Sequence, residues 1–179
     1  MAVGRLRLYR ISMKYVRALS KVDDNVLSVS PQAGKASRPF VGIVVVHEGG
    51  NYCIPLSSPK PKHDHMKNGK DFSKIVDPKG KLIGVLNFNN MVPVSDDVLI
   101  NFDMRPKHGD DSATRAYKEL MRDQLQWCNA HRDVIQRKAE RLYTMITQEP
   151  EKYRALARRC CDFRRLEGVL ARWEGTGTA

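Results

Sequence analysis

Long apolar runs are missing from this 179-residue sequence. No stretch approaches the roughly 18 residues needed to cross a bilayer. Met1 to Arg10 also lacks the apolar core of a signal peptide, so the expected compartment is the cytoplasm. Cysteine is sparse. Cys53, Cys128, Cys160 and Cys161 form no C-x-x-C pair, and the adjacent two make a poor structural disulfide, so reduced and packed thiols are expected. His63-x-His65 is the one local pair with a metal-like look, and it lacks the further spaced ligands of a zinc site; no metal and no cofactor is expected. A nucleophile elbow, a phosphate-binding glycine loop, a dinucleotide glycine run and an internal repeat are all absent. Serine-hydrolase, NTPase and dehydrogenase readings therefore have no motif behind them.

Acidic residues are scarce in the first part of the chain. Residues 1–70 hold twelve Lys or Arg against four Asp or Glu, whereas 71–179 hold nineteen against sixteen. The formal charge of +11 is thus concentrated toward the N-terminal part. A basic field of this kind favours a polyanion. No basic helix with a bulky apolar face is visible, which argues for nucleic acid over a membrane surface.

The apolar fraction of 41% suffices for a buried core in one domain spanning residues 1–179, sheet-rich over 1–105 and helical over 110–173. Alternation over Leu6–Ile11 predicts a short strand, and Ser12 is the expected N-cap of a helix over Met13–Leu19. Tyr15 falls on the apolar side of that helix, so its ring is read as core, with a ligand-facing phenol as the alternative. Residues 28–39, carrying Lys35 and Arg38, read as a loop. Phe40–Val46, a turn at Glu48-Gly49-Gly50-Asn51 and Tyr52–Leu56 read as a hairpin, which brings Arg38 toward Ser58. Residues 60–70 read as a polar basic loop. Phe72–Val76, Lys81–Phe88, Met91–Val94 and Val98–Phe102 continue as a meander of antiparallel strands. Asp111 or Ser112 caps a first long helix, with Asn129 a point of interruption; a second ends before Pro150, and a third runs from Glu151 to Trp173. The fold class is α+β: a twisted, mostly antiparallel and partly barrelled sheet with helices packed on it.

The chemistry gathers at Pro55-Leu56-Ser57-Ser58-Pro59-Lys60. Each proline fixes its own φ and pushes the preceding residue toward extended geometry. Two hydroxyls and a cation are thereby held on a stiff turn, which suits an anion whose donors must be in place beforehand. The plainer alternative is a strand end with a Ser-Pro turn and a solvated lysine. RNA carries its own nucleophile, the 2′-hydroxyl, so a basic protein without a metal cluster can still cleave it. Lys60 and Arg38 suit stabilisation of phosphorane charge, Ser57 and Ser58 suit positioning of a non-bridging oxygen, and His63 and His65 suit proton transfer. Lys14, Lys35, Lys62 and Lys67, with the two histidines, are candidate RNA contacts.

Tyr9-Arg10-Ile11-Ser12-x-Lys14-Tyr15, Phe40-Val41-Gly42-Ile43-Val44 and the Pro-Leu-Ser-Ser-Pro-Lys segment resemble the ToxN/AbiQ family in this order. So do Ile83-Gly84-x-Leu86-Asn87-Phe88, Met91-Val92-Pro93 and Gln124-Leu125-Gln126-Trp127. The resemblance implies a type III toxin with a MazF/Kid-like sheet core: a metal-independent endoribonuclease that leaves 2′,3′-cyclic phosphate ends. It further implies inhibition by an RNA antitoxin of pseudoknot units cut from tandem repeats, protein–RNA hetero-oligomers, and abortive phage defence against a background of cellular and phage RNA substrates. By the same resemblance Ser57, Ser58, Lys60 and Tyr15 are active-site residues, and Arg38 stands where relatives carry lysine. A non-catalytic RNA-binding module, or a structural partner in a nucleoprotein complex, remains the reading without catalysis.

Overall fold

Among the described residues seven strands and six α-helices build the fold, and what the strands do at one point, the end of the third, decides where the site lies. The structure, a computed structural model, describes residues 4–27, 39–46 and 50–176. Lys35, Arg38 and the Glu48-Gly49 part of the expected turn lie outside the described residues. The strands are β1 (Arg7–Ile11), β2 (Phe40–Val46), β3 (Gly50–Ser57), β4 (Phe72–Val76), β5 (Leu82–Asn87), β6 (Val92–Pro93) and β7 (Leu99–Asn101). The helices are α1 (Met13–Ser20), α2 (Pro61–His65), α3 (Ser112–Ala130), α4 (Arg132–Gln148), α5 (Arg154–Ala157) and α6 (Phe163–Thr176).

All pairings are antiparallel, but the spatial order is β4-β5-β3-β2-β1-β7 with β6 also bonded to β3, so the strands do not form a simple meander. No closed barrel forms among the described residues: β4 and β7 end the strand path and do not pair with each other. β3 is the hub. Its first part pairs with β2 on one side and with β6 on the other, through Tyr52↔Pro93 and Cys53↔Val92. Its last two residues turn to β5, through Leu56↔Leu86 and Ser57↔Val85. β2 carries an irregularity between Val41 and Val44, and there Gly42 lies so close to β3 that a Cβ would collide with the Cys53 sulfur.

Helix starts follow cap chemistry only in part. Asp111 caps α3 by accepting from the Thr114 N–H at 2.7 Å. Ser12 occupies the N-cap position of α1 but makes no side-chain cap bond. The stretch read as a basic loop holds α2, because Pro61 takes the first helical position, where a missing N–H costs nothing. The predicted helix from Glu151 to Trp173 is two helices. The chain between them is drawn onto the sheet side: Cys161 N–H donates to Asn89 O (2.8 Å), Asn25 Nδ2 to Cys160 O (2.9 Å) and Asp162 N–H to Asp23 Oδ2 (2.6 Å). These tertiary bonds outweigh the local helical pattern.

Asn129 does not interrupt α3, which runs to Ala130. Its side chain pairs instead with the start of the chain. Oδ1 accepts from Leu6 N–H at 2.9 Å, and Nδ2 donates to Leu6 O at 3.1 Å and to Leu125 O at 3.1 Å. Leu6 itself is fully buried and, among the described residues, precedes the paired part of β1, so the amide takes the place of a ladder rung. One continuous core joins sheet and helices, with Leu6, Ile54, Leu86, Met121, Leu142 and Phe163 all within it. Tyr52 meets Tyr143 of α4 and Phe163 of α6 edge-on at 5.9 and 5.8 Å.

Asn129→Ala should therefore lower stability well beyond its loss of volume, since it leaves two backbone groups of Leu6 unpaired in a buried place. We expect a loss of about 1–3 kcal/mol, read as a lower urea midpoint at unchanged slope. A midpoint equal to that of the parent protein would mean that water replaces the amide.

Candidate functional site

The end of β3 opens into a cavity of about 680 Å³ whose lining is polar and basic. Ser57, Lys60, Lys62, His63 and Lys67 come from the stiff turn and α2; Asn87, Asn89 and Asn90 come from the end of β5 and the tight turn that follows it. Asp71 and Phe72 enter from the start of β4, and Arg159 from the break between α5 and α6. Four cations thus face one space with a single carboxylate, and that carboxylate is engaged. Arg159 grips Asp71 with two bonds, Nε to Oδ2 at 2.6 Å and a terminal nitrogen to Oδ1 at 3.3 Å. Asp71 is buried while the Arg159 side chain remains 56% exposed, so the guanidinium is fixed at one edge and still open to a ligand. Hydrogen bonding to Asp71 raises the already high pKa of Arg159. An anion entering this cavity meets fixed charge from two sides.

The two serines separate. Ser57, the last strand residue, is half-buried in the cavity wall, and its Oγ accepts from Asn87 Nδ2 at 3.0 Å. That bond occupies an acceptor position and leaves the hydroxyl proton available to donate. Ser58 is exposed and does not line the cavity, as strand alternation dictates for the next residue. Lys60 is exposed at the cavity edge with an extended backbone, φ −127° and ψ 155°, set by the proline after it.

Other predicted site residues lie elsewhere. Tyr15 is 0% exposed; its hydroxyl donates to Pro93 O at 2.7 Å and its ring meets Trp173 edge-on at 5.4 Å. It does not line the cavity, and this placement is the core reading, not the ligand-facing one. Lys14 is exposed on α1, and His65 is exposed on α2; neither lines the cavity. Register brings Phe40 opposite Pro55, and Leu56 N–H donates to Pro39 O at 3.0 Å, so the described chain stops one residue short of Arg38 beside the serines. His63 is buried and tilted against Phe72, and its Nδ1 accepts the Lys60 N–H at 3.0 Å. With Nδ1 engaged, the neutral ring carries its proton on Nε2 and has no lone pair left for a base. Burial, aided by the Lys62 and Lys60 charges, holds its pKa below the ordinary histidine value.

Sequence reasoning missed Arg159, Asp71 and the asparagines at 87, 89 and 90. A signal existed for Asn87, which sits in one of the resembling segments. Arg159 gave none, because it is one of several arginines in a stretch read as a continuous helix.

The profile of the family described as "Toxin ToxN, type III toxin-antitoxin system" matches residues 7–171. An endoribonuclease ToxN of Bacillus thuringiensis subsp. kurstaki is 30% identical over 164 residues, 90% of this chain and 80% of that protein. An endoribonuclease AbiQ of Lactococcus lactis subsp. lactis is 29% identical over 174 residues, 90% of this chain and 86% of that one. Among solved structures, a chain from a bacterial type III toxin–antitoxin system, where a non-coding RNA pseudoknot selectively inhibits the toxin, superimposes with a TM-score of 0.80. It is 27% identical and covers 96% of this chain and 99% of its own. The AbiQ structure, at 24% identity and a TM-score of 0.82, shares the fold over 96% of this chain and 99% of its own.

The cavity's charge predicts a measurable ionic signature. Affinity for single-stranded RNA should fall with salt at a log–log slope of roughly −0.7 per neutralised phosphate. Lys62→Gln and Lys67→Gln should each make that slope shallower by about 0.7 and leave the melting temperature near the parent value. Arg159→Ala should do both kinds of harm, since it also strands the buried Asp71 carboxylate. A slope that none of the three changes would move the binding face away from this cavity.

Proposed function

The chain belongs to the ToxN family of type III toxin–antitoxin toxins, and from that premise we propose that it is an endoribonuclease toxin restrained by an RNA antitoxin. The observation that carries the reading is the convergence of the Ser57 hydroxyl, Lys60 and Arg159 on one basic cavity. The fold is that of a solved chain from a type III toxin–antitoxin system and of solved AbiQ, and relatives are named endoribonucleases ToxN and AbiQ.

In the proposed reaction the RNA 2′-hydroxyl attacks the adjacent phosphorus, the 5′-oxygen leaves, and a 2′,3′-cyclic phosphate remains. The protein's part is to hold the attack in line and to neutralise charge on the phosphorane. Ser57, oriented by Asn87, donates to a non-bridging oxygen. Lys60 supplies the nearest cation across the turn, Arg38 adds a second cation by the family resemblance, and Arg159 anchors a neighbouring phosphate from the break between α5 and α6. Ser58 stands at the rim, held by Pro59. Phe72 and Met66 give the cavity an apolar side against which a base can pack. Each charge is supplied by a side chain, so no metal ion or cofactor is needed.

The antitoxin is a pseudoknotted RNA that fills the same cavity. The toxin cuts its repeat transcript into units and is then held by them in a protein–RNA hetero-oligomer. Substrates after release are cellular and phage transcripts, and the biological role is abortive defence; chains of similar fold include a lactococcal anti-phage endoribonuclease and a chain from a bacterial antiviral system regulated by a processed non-coding RNA. No helix among the described residues is long and apolar enough to cross a membrane, which supports action in the cytoplasm. We further take the chain as one domain with a MazF/Kid-like core, on the strength of the antiparallel strands and the continuous core beneath the helices.

Ser57→Ala and Lys60→Ala should each slow cleavage about 10²–10³-fold, the usual effect of removing one preorganised donor. Ser58→Ala should cost less, because its hydroxyl sits outside the cavity. Antitoxin binding, spread over many phosphates, should change little. Growth arrest on induction, cleavage in vitro and melting temperature decide the matter together: full toxicity in a folded Lys60→Ala variant would refute the assigned site. Parent protein that binds RNA tightly and never cuts it would make this a binding module.

Cleavage should also continue in excess chelator and yield 3′ ends that resist phosphatase until the cyclic phosphate is opened. Activity that vanishes with chelator and returns with magnesium would rule out the proposed chemistry.

A further inference from the structure

Lys60 is flanked by Pro59 and Pro61, neither of which has an N–H, so its own amide is the single backbone donor across those three residues. That amide donates to His63 Nδ1 at 3.0 Å. On the other side of the same residue, Lys60 C=O accepts from His63 N–H at 2.8 Å. One histidine therefore clamps both peptide groups of the proposed catalytic lysine. The clamp is itself held. His63 is 5% exposed and its ring centre lies 5.5 Å from that of Phe72, and Lys74 Nζ of β4 donates to Asp64 O at 3.0 Å, pinning α2 to the strand.

We propose, on the premise of the ribonuclease reading above, that His63 is a positioning residue whose unprotonated Nδ1 fixes the placement of Lys60, so that protonation of this one ring disengages the lysine. The chemistry is a swap of acceptor for donor. A ring that takes a second proton must place it on Nδ1, facing the Lys60 N–H, and the bond becomes a repulsion. Burial opposes that proton most, followed by the charges of Lys62 and Lys60; Lys74 of β4 opposes it too, and Asp64 favours it. Asp71, the carboxylate of this cavity, is taken up by Arg159. The clamp is thus closed at neutral pH and opens as pH falls below the ordinary histidine range. His63 acts through Lys60; it is neither a proton carrier nor an RNA contact.

Two readouts on the full chain test this. In the first, RNA cleavage is followed from pH 5 to 8 for the parent protein, His63→Asn and His63→Ala. Asparagine offers an oxygen in place of Nδ1 that accepts without titrating. The parent kcat should fall about tenfold per pH unit below the ring's pKa. His63→Asn should keep neutral-pH activity within a few-fold and lose that acid limb. His63→Ala should lower kcat at every pH with a smaller effect on KM. In the second, NMR follows the Lys60 amide signal and the His63 ring signals through the same titration without RNA. The amide should move with the ring in the parent protein and stay put in His63→Asn.

An acid limb unchanged in His63→Asn, or parent-like kcat in folded His63→Ala, would overturn the proposal. So would a Lys60 amide that is indifferent to ring protonation, whether or not the protein cleaves RNA. Absence of cleavage in all three proteins, with an amide that does follow the ring, would instead sink the ribonuclease reading and leave the clamp standing.

Discussion

Everything at the site depends on β3 changing partners. A strand has two edges, yet β3 bonds to β2, β6 and β5 by giving its first residues to the first two and its last two to the third. The change occurs at Leu56 and Ser57. Beyond it β3 cannot continue in the same plane, and the chain leaves through a proline-hemmed turn into α2. The cavity is the space this departure opens between the turn, the β4–β5 pair and the returning C-terminal segment. Ser57 faces it because pleating alternates side chains; Ser58, one residue on, cannot.

The electrostatics follow from the same geometry. A concave space with Lys60, Lys62, Lys67 and Arg159 around it concentrates positive potential well beyond what the same residues would produce spread over a surface. The Asp71–Arg159 pair adds order more than net charge. A guanidinium bound along one edge has lost most of its freedom before any phosphate arrives, so less is lost when one does. The lysines lack that restraint in their side chains. Lys60 has it in the backbone instead, through the prolines and His63.

Strand positions were legible because β-branched runs and Gly or Pro punctuation coincide at Phe40–Val46, Tyr52–Leu56 and Phe72–Val76. The site turn was legible for a similar reason, since the rigidity of Ser-Ser-Pro-Lys is local. What could not be read was whatever tertiary bonds impose. The break at residues 158–162 has no proline or glycine to announce it; it exists because Asn25, Asp23 and Asn89 capture the backbone there. Arg159 reaches the cavity only through that break. α2 was hidden by its charge, five residues being too few for any apolar period to show. Tyr15 was legible as core by helical spacing, and its ring is enclosed accordingly. The separation of Ser57 from Ser58 was in principle readable, needing only the assumption that the strand runs through Ser57.

The bond between Asn129 and Leu6 spans 123 residues, and Arg159 reaches back 88 residues to Asp71. Synthesis runs from the N-terminus, so Leu6 and Asp71 are made well before the partners that complete them. While the C-terminal part is still being made, β1 has no lock at its entrance and the cavity has only three of its walls. The entrance to β1 and the last wall of the cavity are thus completed only once the helical part of the chain has been made, so the site folds together with the helices and not ahead of them.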